Sequence, residues 1–234
     1  MLALPAVQAI QAIVDQHSQE ALICEADEIV AGQVRLFGGQ PQPLNLAPPG
    51  DLQHWTAYEL GKAQVQAPHD DINFVWEPCR FGWAAILGRA YHLTQDERYP
   101  AAFWTYFETF TRHNLPYQGP NWVSAQEVAL RLITLTFAGQ LLAASEHSTL
   151  QRRQQLGQAI ALHAQRIPPT LVYARAQNNN HLLSEAAGLF TAALVLPNHP
   201  QAPRWRKLGW HWFQRGILKQ VTPDGVFMQH SVNY

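Results

Sequence analysis

The residues best able to do chemistry crowd into QNNNHLLSEAAGLF, positions 177–190. Three asparagines and a histidine stand together. An almost wholly apolar run follows at helical spacing, Leu182, Ala186, Leu189 and Ala193, widened by Leu183, Phe190 and Leu194. Asn178 or Asn179 is placed to cap that helix by accepting from its free backbone N–H groups. His181 and Glu185 lie four apart and share one face. On a helix this apolar, a polar stripe must meet a cleft, a cavity or polar partners, because burying it unpaired is costly. Two readings stand here: a cap with one satisfied core histidine, or a titratable pair lining a site. Gln126, Glu127 and Arg131, in NWVSAQEVALR (121–131), form a second cluster that is equally double-edged. Glu127 and Arg131 have the i,i+4 order that favours an ion pair, and Ser124 with Glu127 makes a capping box. Trp122 just ahead could stack on a flat ligand or simply pack, and Trp76 and Arg80 pose the same choice.

These clusters need elements to hold them. Residues 4–31 read as one or two helices ending at Gly32. QVRLFGG (33–39) reads as a short strand or extended arm, and four prolines, at 41, 43, 48 and 49, make an irregular connector. The stretches HWTAYELGK and DDINFVWEP (70–78) are mixed and aromatic, with Pro78 as a stop. From residue 80 the apolar spacing predicts helix after helix, over 80–94, 96–114, 124–145, 148–167, about 180–196 and 202–221. Pro168 and Pro169 stop the fourth, Pro197 the fifth, and Pro-Asp-Gly at 223–225 turns the chain after the sixth. That is about six helices in three antiparallel pairs, with no credible sheet pattern beyond residue 80. Tandem hairpins of this kind close into a bundle, a superhelix or an α/α toroid, and periodicity does not choose among them.

Composition narrows the class. Hydrophobic residues make up 47% and charged residues 14%, which supports a sizeable core and argues against disorder. The net charge of −1 gives the chain as a whole no field for polyanions, and nothing marks a nucleic-acid partner. Cys24 and Cys79 have no metal-ligand spacing, and one possible bridge is no disulfide framework. The apolar N-terminus lacks a basic lead, and Asp15 interrupts it. It reads as an amphipathic helix and not a signal peptide, which implies a cytoplasmic chain as written, with no bilayer span. No HExxH or paired-cysteine pattern is present, so neither metal nor cofactor is expected.

NWVSAQEVALR (121–131), NNHLLSEAAGLF (179–190) and PDGVFMQHSVNY (223–234), in this order and at these separations, resemble the heparinase II/III-like polysaccharide lyases, which include alginate and heparin-sulfate lyases. The resemblance covers roughly residues 70–234. It implies an all-α fold, an incomplete α/α toroid of antiparallel helical hairpins with an irregular N-terminal region. Residues 1–75 would be the lead-in and 76–234 the toroid domain. It also implies that the chain is truncated, and that a β-sandwich region, where some members carry their metal, packs on this domain from beyond Tyr234. The implied reaction is β-elimination on a uronate-containing, acidic polysaccharide. The C5 proton is very weakly acidic while the neighbouring carboxylate is ionised. Such a lyase must neutralise that carboxylate, supply a base at C5 and supply an acid for the leaving oxygen.

By resemblance, Asn180 holds and neutralises the carboxylate, and His181 assists as a second neutraliser or as base on one uronate epimer. Tyr234 protonates O4, and could serve as base if His230, Arg131 or Arg175 lowers its pKa from about 10. Gln126, Glu127, Arg131, Trp122, Glu185, Gln229 and His230 are the implied substrate contacts. Members often carry Glu where Gln229 stands, which puts fine substrate preference in doubt. Two other readings compete. An α/α-toroid glycoside hydrolase would need two carboxylates flanking the scissile bond; Asp70, Asp71, Glu127 and Glu185 are available but form no recognisable pair. A non-catalytic carbohydrate-binding fragment needs neither.

Overall fold

The structure, a computed structural model, describes residues 4–228. Two compact units make up the chain, Met1–Val123 with Thr134–Leu156, and Ser124–Ile133 with Gly157–Tyr234.

In the first unit, short helix α1 (Val7–Gln11) precedes α2 (Gln16–Val30). Asp15 starts α2 by accepting from the Ser18 amide at 2.9 Å. The arm that follows is a two-stranded antiparallel hairpin, β1 (Gln33–Arg35) with β2 (Pro41–Pro43), in register Val34 to Gln42. Next come α3 (Trp55–Glu59), α4 (Asn73–Cys79), α5 (Gly82–Thr94) and α6 (Arg98–His113). The aromatic spacing of α5 and α6 makes the core: Trp83, Phe103, Trp104, Phe107 and Phe110 are all buried. Pro78 does not stop α4, which runs one residue past it. The break falls at Phe81, whose left-handed backbone (φ 62°) separates α4 from α5. That conformation costs a bulky residue of order 1 kcal/mol or more, and the ring is fully buried, edge-on to Phe110 at 5.2 Å.

Helices α7 (Ala125–Leu141) and α8 (Leu150–Arg166) run through both units. In the second unit Pro168–Thr170 forms a single tight turn and opens a short helix, α9 (Leu171–Gln177), where sequence reading placed none. Proline is tolerated in a helix's first turn, so a proline pair that ends one helix can begin another. Then come α10 (Asn180–Val195) and α11 (Ala202–Gln220). Leu182, Ala186, Leu189 and Ala192 of α10 are all buried, as its apolar girth requires. A Cβ on Gly209 would meet the Phe190 nitrogen at 2.6 Å and the Ala186 oxygen at 2.7 Å, and one on Gly216 would meet Leu183 at 2.7 Å. The two helices therefore run antiparallel and nearly backbone to backbone, which only glycine permits. The architecture is all-α, built from helical hairpins. No helix among the described residues is long and apolar enough to cross a membrane.

Candidate functional site

The three asparagines divide the work of joining α9 to α10. Asn178 closes α9 in the left-handed conformation (φ 49°), its N–H bonded to the Ala174 carbonyl at 3.0 Å. Asparagine tolerates that region better than most residues. Asn179 is extended, and its side-chain oxygen accepts from the His181 amide at 3.0 Å, capping α10. The Asn179 carbonyl in turn accepts from the Gln220 side chain at 3.0 Å, so the end of α11 pins the start of α10. Asn180 is then the first residue of the helix and His181 the second, both half-buried.

Asn180 presents a buried amide oxygen without a hydrogen-bond partner among the described residues, and so does Gln220. Each such atom costs about 1–3 kcal/mol, a penalty that a ligand offering a donor would remove. The His181 imidazole is held below its ordinary pKa by burial, partly offset by the negative charge of Glu127. Ser184, one turn on, donates to the Asn180 carbonyl at 2.9 Å and accepts from Gln126 at 3.4 Å. The start of α7 and the start of α10 therefore meet, bringing Gln126 and Glu127 to Asn180 and His181.

Behind these residues lies a buried polar layer. Ser124 accepts from the Glu127 amide at 3.4 Å, as the capping-box spacing requires. Glu127 is 2% exposed and Arg131 0%. Arg131 Nε donates to His163 Nε2 at 2.8 Å, and His163 Nδ1 sits 2.7 Å from the Ala159 carbonyl. His163 is thus the Nδ1–H tautomer, accepting at Nε2. Burial, and then the Arg131 charge, push its pKa down to about 3, so the ring stays neutral. Arg166 donates to the Thr170 hydroxyl at 2.9 Å. Glu185, 3% exposed, has one carboxyl oxygen without a partner. Burial pushes its pKa up to about 8, against the pull of Arg166, so it is largely protonated at neutral pH.

The other expected site residues fall elsewhere. Trp122 belongs to the first unit, 2% exposed and packed edge-on against Tyr117 at 5.4 Å. Trp76, also there, donates to the Pro120 carbonyl at 3.0 Å, and Arg80 pairs with Glu77. Arg175 lies 4.0 Å above the Trp212 ring. Tyr234, Gln229 and His230 lie outside the described residues. Ser184, His163, Arg166 and Gln220 had not been singled out from the sequence. Ser184 could have been, since it sits four residues after Asn180; the other three carry no local signal. Among the described residues one group, Glu97, Glu146 and His147, brings possible metal-ligand atoms within 4.8 Å of one another. Glu97 there already accepts from Tyr91 at 3.0 Å and from Ser145.

Comparison with known proteins bears on the family and the fold. The family model described as heparinase II/III N-terminus matches residues 53–234. A heparin-sulfate lyase of Bacteroides thetaiotaomicron is 24% identical over 158 residues, 66% of this chain and 22% of that protein. One of Pedobacter heparinus is 27% identical over 179 residues, 71% of this chain and 25% of that protein. The chain thus spans about a quarter of the length of the curated relatives it matches. Among solved structures, a heparan sulfate lyase from Pedobacter heparinus superposes with a TM-score of 0.68 at 22% identity, over 93% of this chain and 32% of that one. A heparinase III structure superposes with a TM-score of 0.67 at 20% identity, over 95% and 34%. At these identities the likeness is one of fold, that of the helical toroid.

Proposed function

The chain belongs to the heparinase II/III N-terminus family, and from that premise we propose that it forms the toroid part of a lyase cleaving a uronate-containing polysaccharide by β-elimination. The observation that carries the reading is the start of α10. There an amide (Asn180) and an imidazole held below its ordinary pKa (His181) stand side by side above a buried, charged layer.

In the proposed reaction the Asn180 side-chain N–H group donates to the uronate carboxylate. This draws off the charge that would otherwise oppose a carbanion at C5. His181, neutral at neutral pH, has a free electron pair to take the C5 proton or, as second donor in its protonated form, to share the carboxyl. Electrons of the C5–H bond become the C4=C5 double bond, the C4–O bond breaks, and O4 leaves with a proton from Tyr234. Glu127 tunes and orients His181 by its charge. Gln126, through Ser184, steadies the first turn of α10. Arg131 and Glu185 are too deep to touch a polymer directly, and act as the polarising floor of the site. That same burial weakens the hydrolase alternative, since Glu127 and Glu185, at 2% and 3% exposed, are poorly placed to flank a glycosidic bond.

The test uses the full-length gene product with heparan-type, alginate and glucuronan-type polymers. Elimination yields far-ultraviolet absorbance from the new double bond, whereas hydrolysis yields saturated sugars. Tyr234→Phe and Asn180→Ala should collapse turnover while substrate binding largely survives. Saturated products would sink the elimination reading. Near-normal turnover in Tyr234→Phe would remove Tyr234 from the role of acid.

A further inference from the structure

The chain is nearly neutral, but its charge is not evenly spread. Helix α11 carries Arg204, Arg206, Lys207, Arg215 and Lys219 and no aspartate or glutamate, a local charge of +5 in a chain of net −1. All five side chains belong to exposed residues. None of them takes part in the site at the start of α10.

Along one stripe of this helix the cations meet an aromatic groove. Because Gly209 lets α11 lie against the α10 backbone, Trp210 comes beside Phe190, the ring centroids 5.2 Å apart and tilted by 34°. The groove encloses about 770 Å³, within the roughly 300–1,000 Å³ typical of ligand sites. Arg206, Lys207, His211 and Gln214 rise along it beside Trp210, and among the described residues no carboxylate lines it. Trp210 is 46% exposed, so an indole face remains open to a ligand. An exposed indole offers flat apolar area for the C–H face of a pyranose. Arginine and lysine beside it suit sulfate and carboxylate groups, arginine by paired N–H donors. A ligand that is flat and apolar on one side, hydroxylated, and regularly anionic satisfies every group in the groove.

We infer that the groove between α10 and α11 is a secondary binding site for a sulfated, uronate-bearing polysaccharide chain, separate from the elimination site at the start of α10. The occupant's identity rests on the polysaccharide reading above; the groove's preference for an anionic chain rests on its own charge. The site grips polymer away from the reacting residue and so raises the local concentration of cleavable units. It should therefore affect long substrates and leave short ones alone.

The experiment compares the full chain with Arg206→Gln/Lys207→Gln and with the charge-conserving Arg206→Lys, by calorimetric titration with a heparin oligosaccharide at low and high salt. Uncharged dextran serves as the control polymer. Losing two exposed cations should weaken heparin binding about tenfold at low salt, with the gap shrinking at high salt as screening removes the interaction. Arg206→Lys should stay near wild type, dextran should not bind, and Asn180→Ala/His181→Ala should keep the α11 component. If turnover occurs, KM should rise for polymer and not for a tetrasaccharide. Unchanged heparin affinity in the double glutamine variant overturns the inference, and so does a changed oligomeric state in place of a changed affinity. Circular dichroism of each variant separates misfolding from lost binding. Because binding is read without turnover, a protein that eliminates nothing still tests the groove, and a groove that binds nothing leaves the elimination chemistry standing.

Discussion

Replacing Glu185 by glutamine should stabilise the protein, and by an amount that depends on pH in a calculable way. Burial raises the folded-state pKa of Glu185 from 4.5 to about 8. A group shifted upward favours folding fully below its unfolded pKa and loses that contribution as pH rises toward the folded one. At about 1.4 kcal/mol per pH unit, the climb from 4.5 to 7 costs the wild type roughly 3 kcal/mol. Glutamine keeps the shape and stays neutral, so Glu185→Gln should match the wild type near pH 4.5 and exceed it by roughly 3 kcal/mol at pH 7. His163 tilts the balance the other way. Its pKa falls from 6.5 to about 3, so its contribution is complete above 6.5 and is lost as pH drops toward 3. Between 4.5 and 6.5 the two slopes oppose, and the wild type should be nearly flat. The variant, freed of one slope, should gain roughly 3 kcal/mol across that interval. Urea unfolding followed by far-ultraviolet circular dichroism at a series of pH values measures both curves. A difference between variant and wild type that is the same at pH 4.5 and pH 7 would mean that Glu185 is ionised in the folded protein, and the reasoning would fail.

Other outcomes are simpler to read. Gly209→Ala places a methyl against two backbone atoms of α10 that cannot step aside, so urea unfolding should show a loss of about 1–3 kcal/mol or more. His163→Phe fills the space but takes away one acceptor of the buried Arg131 guanidinium, which should cost about 1–3 kcal/mol. Restored stability in His163→Phe/Arg131→Met would identify the lost Arg131 hydrogen bond as the cause. If His181 is the base, its lowered pKa puts the acid limb of the kcat profile below 6.5. Removing the nearby negative charge with Glu127→Gln should move that limb further down, and a limb that moves up would refute the coupling.

What the amino-acid sequence determined by itself is local, because the forces involved act within one turn. Asn179 caps α10 through a bond two residues long, Asn178 accepts a left-handed backbone that few neighbours would, and Ser124 meets the Glu127 amide three residues on. The buried stripe of α10 follows from spacing for the same reason. Sequence pattern also carried the resemblance to the lyase family, because its motifs are short and contiguous. Only the tertiary structure decided which distant groups share a dielectric environment. That His163 accepts from Arg131 is a contact across 32 residues, and Gln220 reaches Asn179 across 41. The i,i+4 spacing of Glu127 and Arg131 says nothing of His163, which packing brings to Arg131, nor of His181, which packing brings within reach of the Glu127 charge. Nothing in the letters around Glu185 marks it as protonated at neutral pH. A pKa is set by what surrounds the carboxyl, and its surroundings come from helices that the sequence lists far apart.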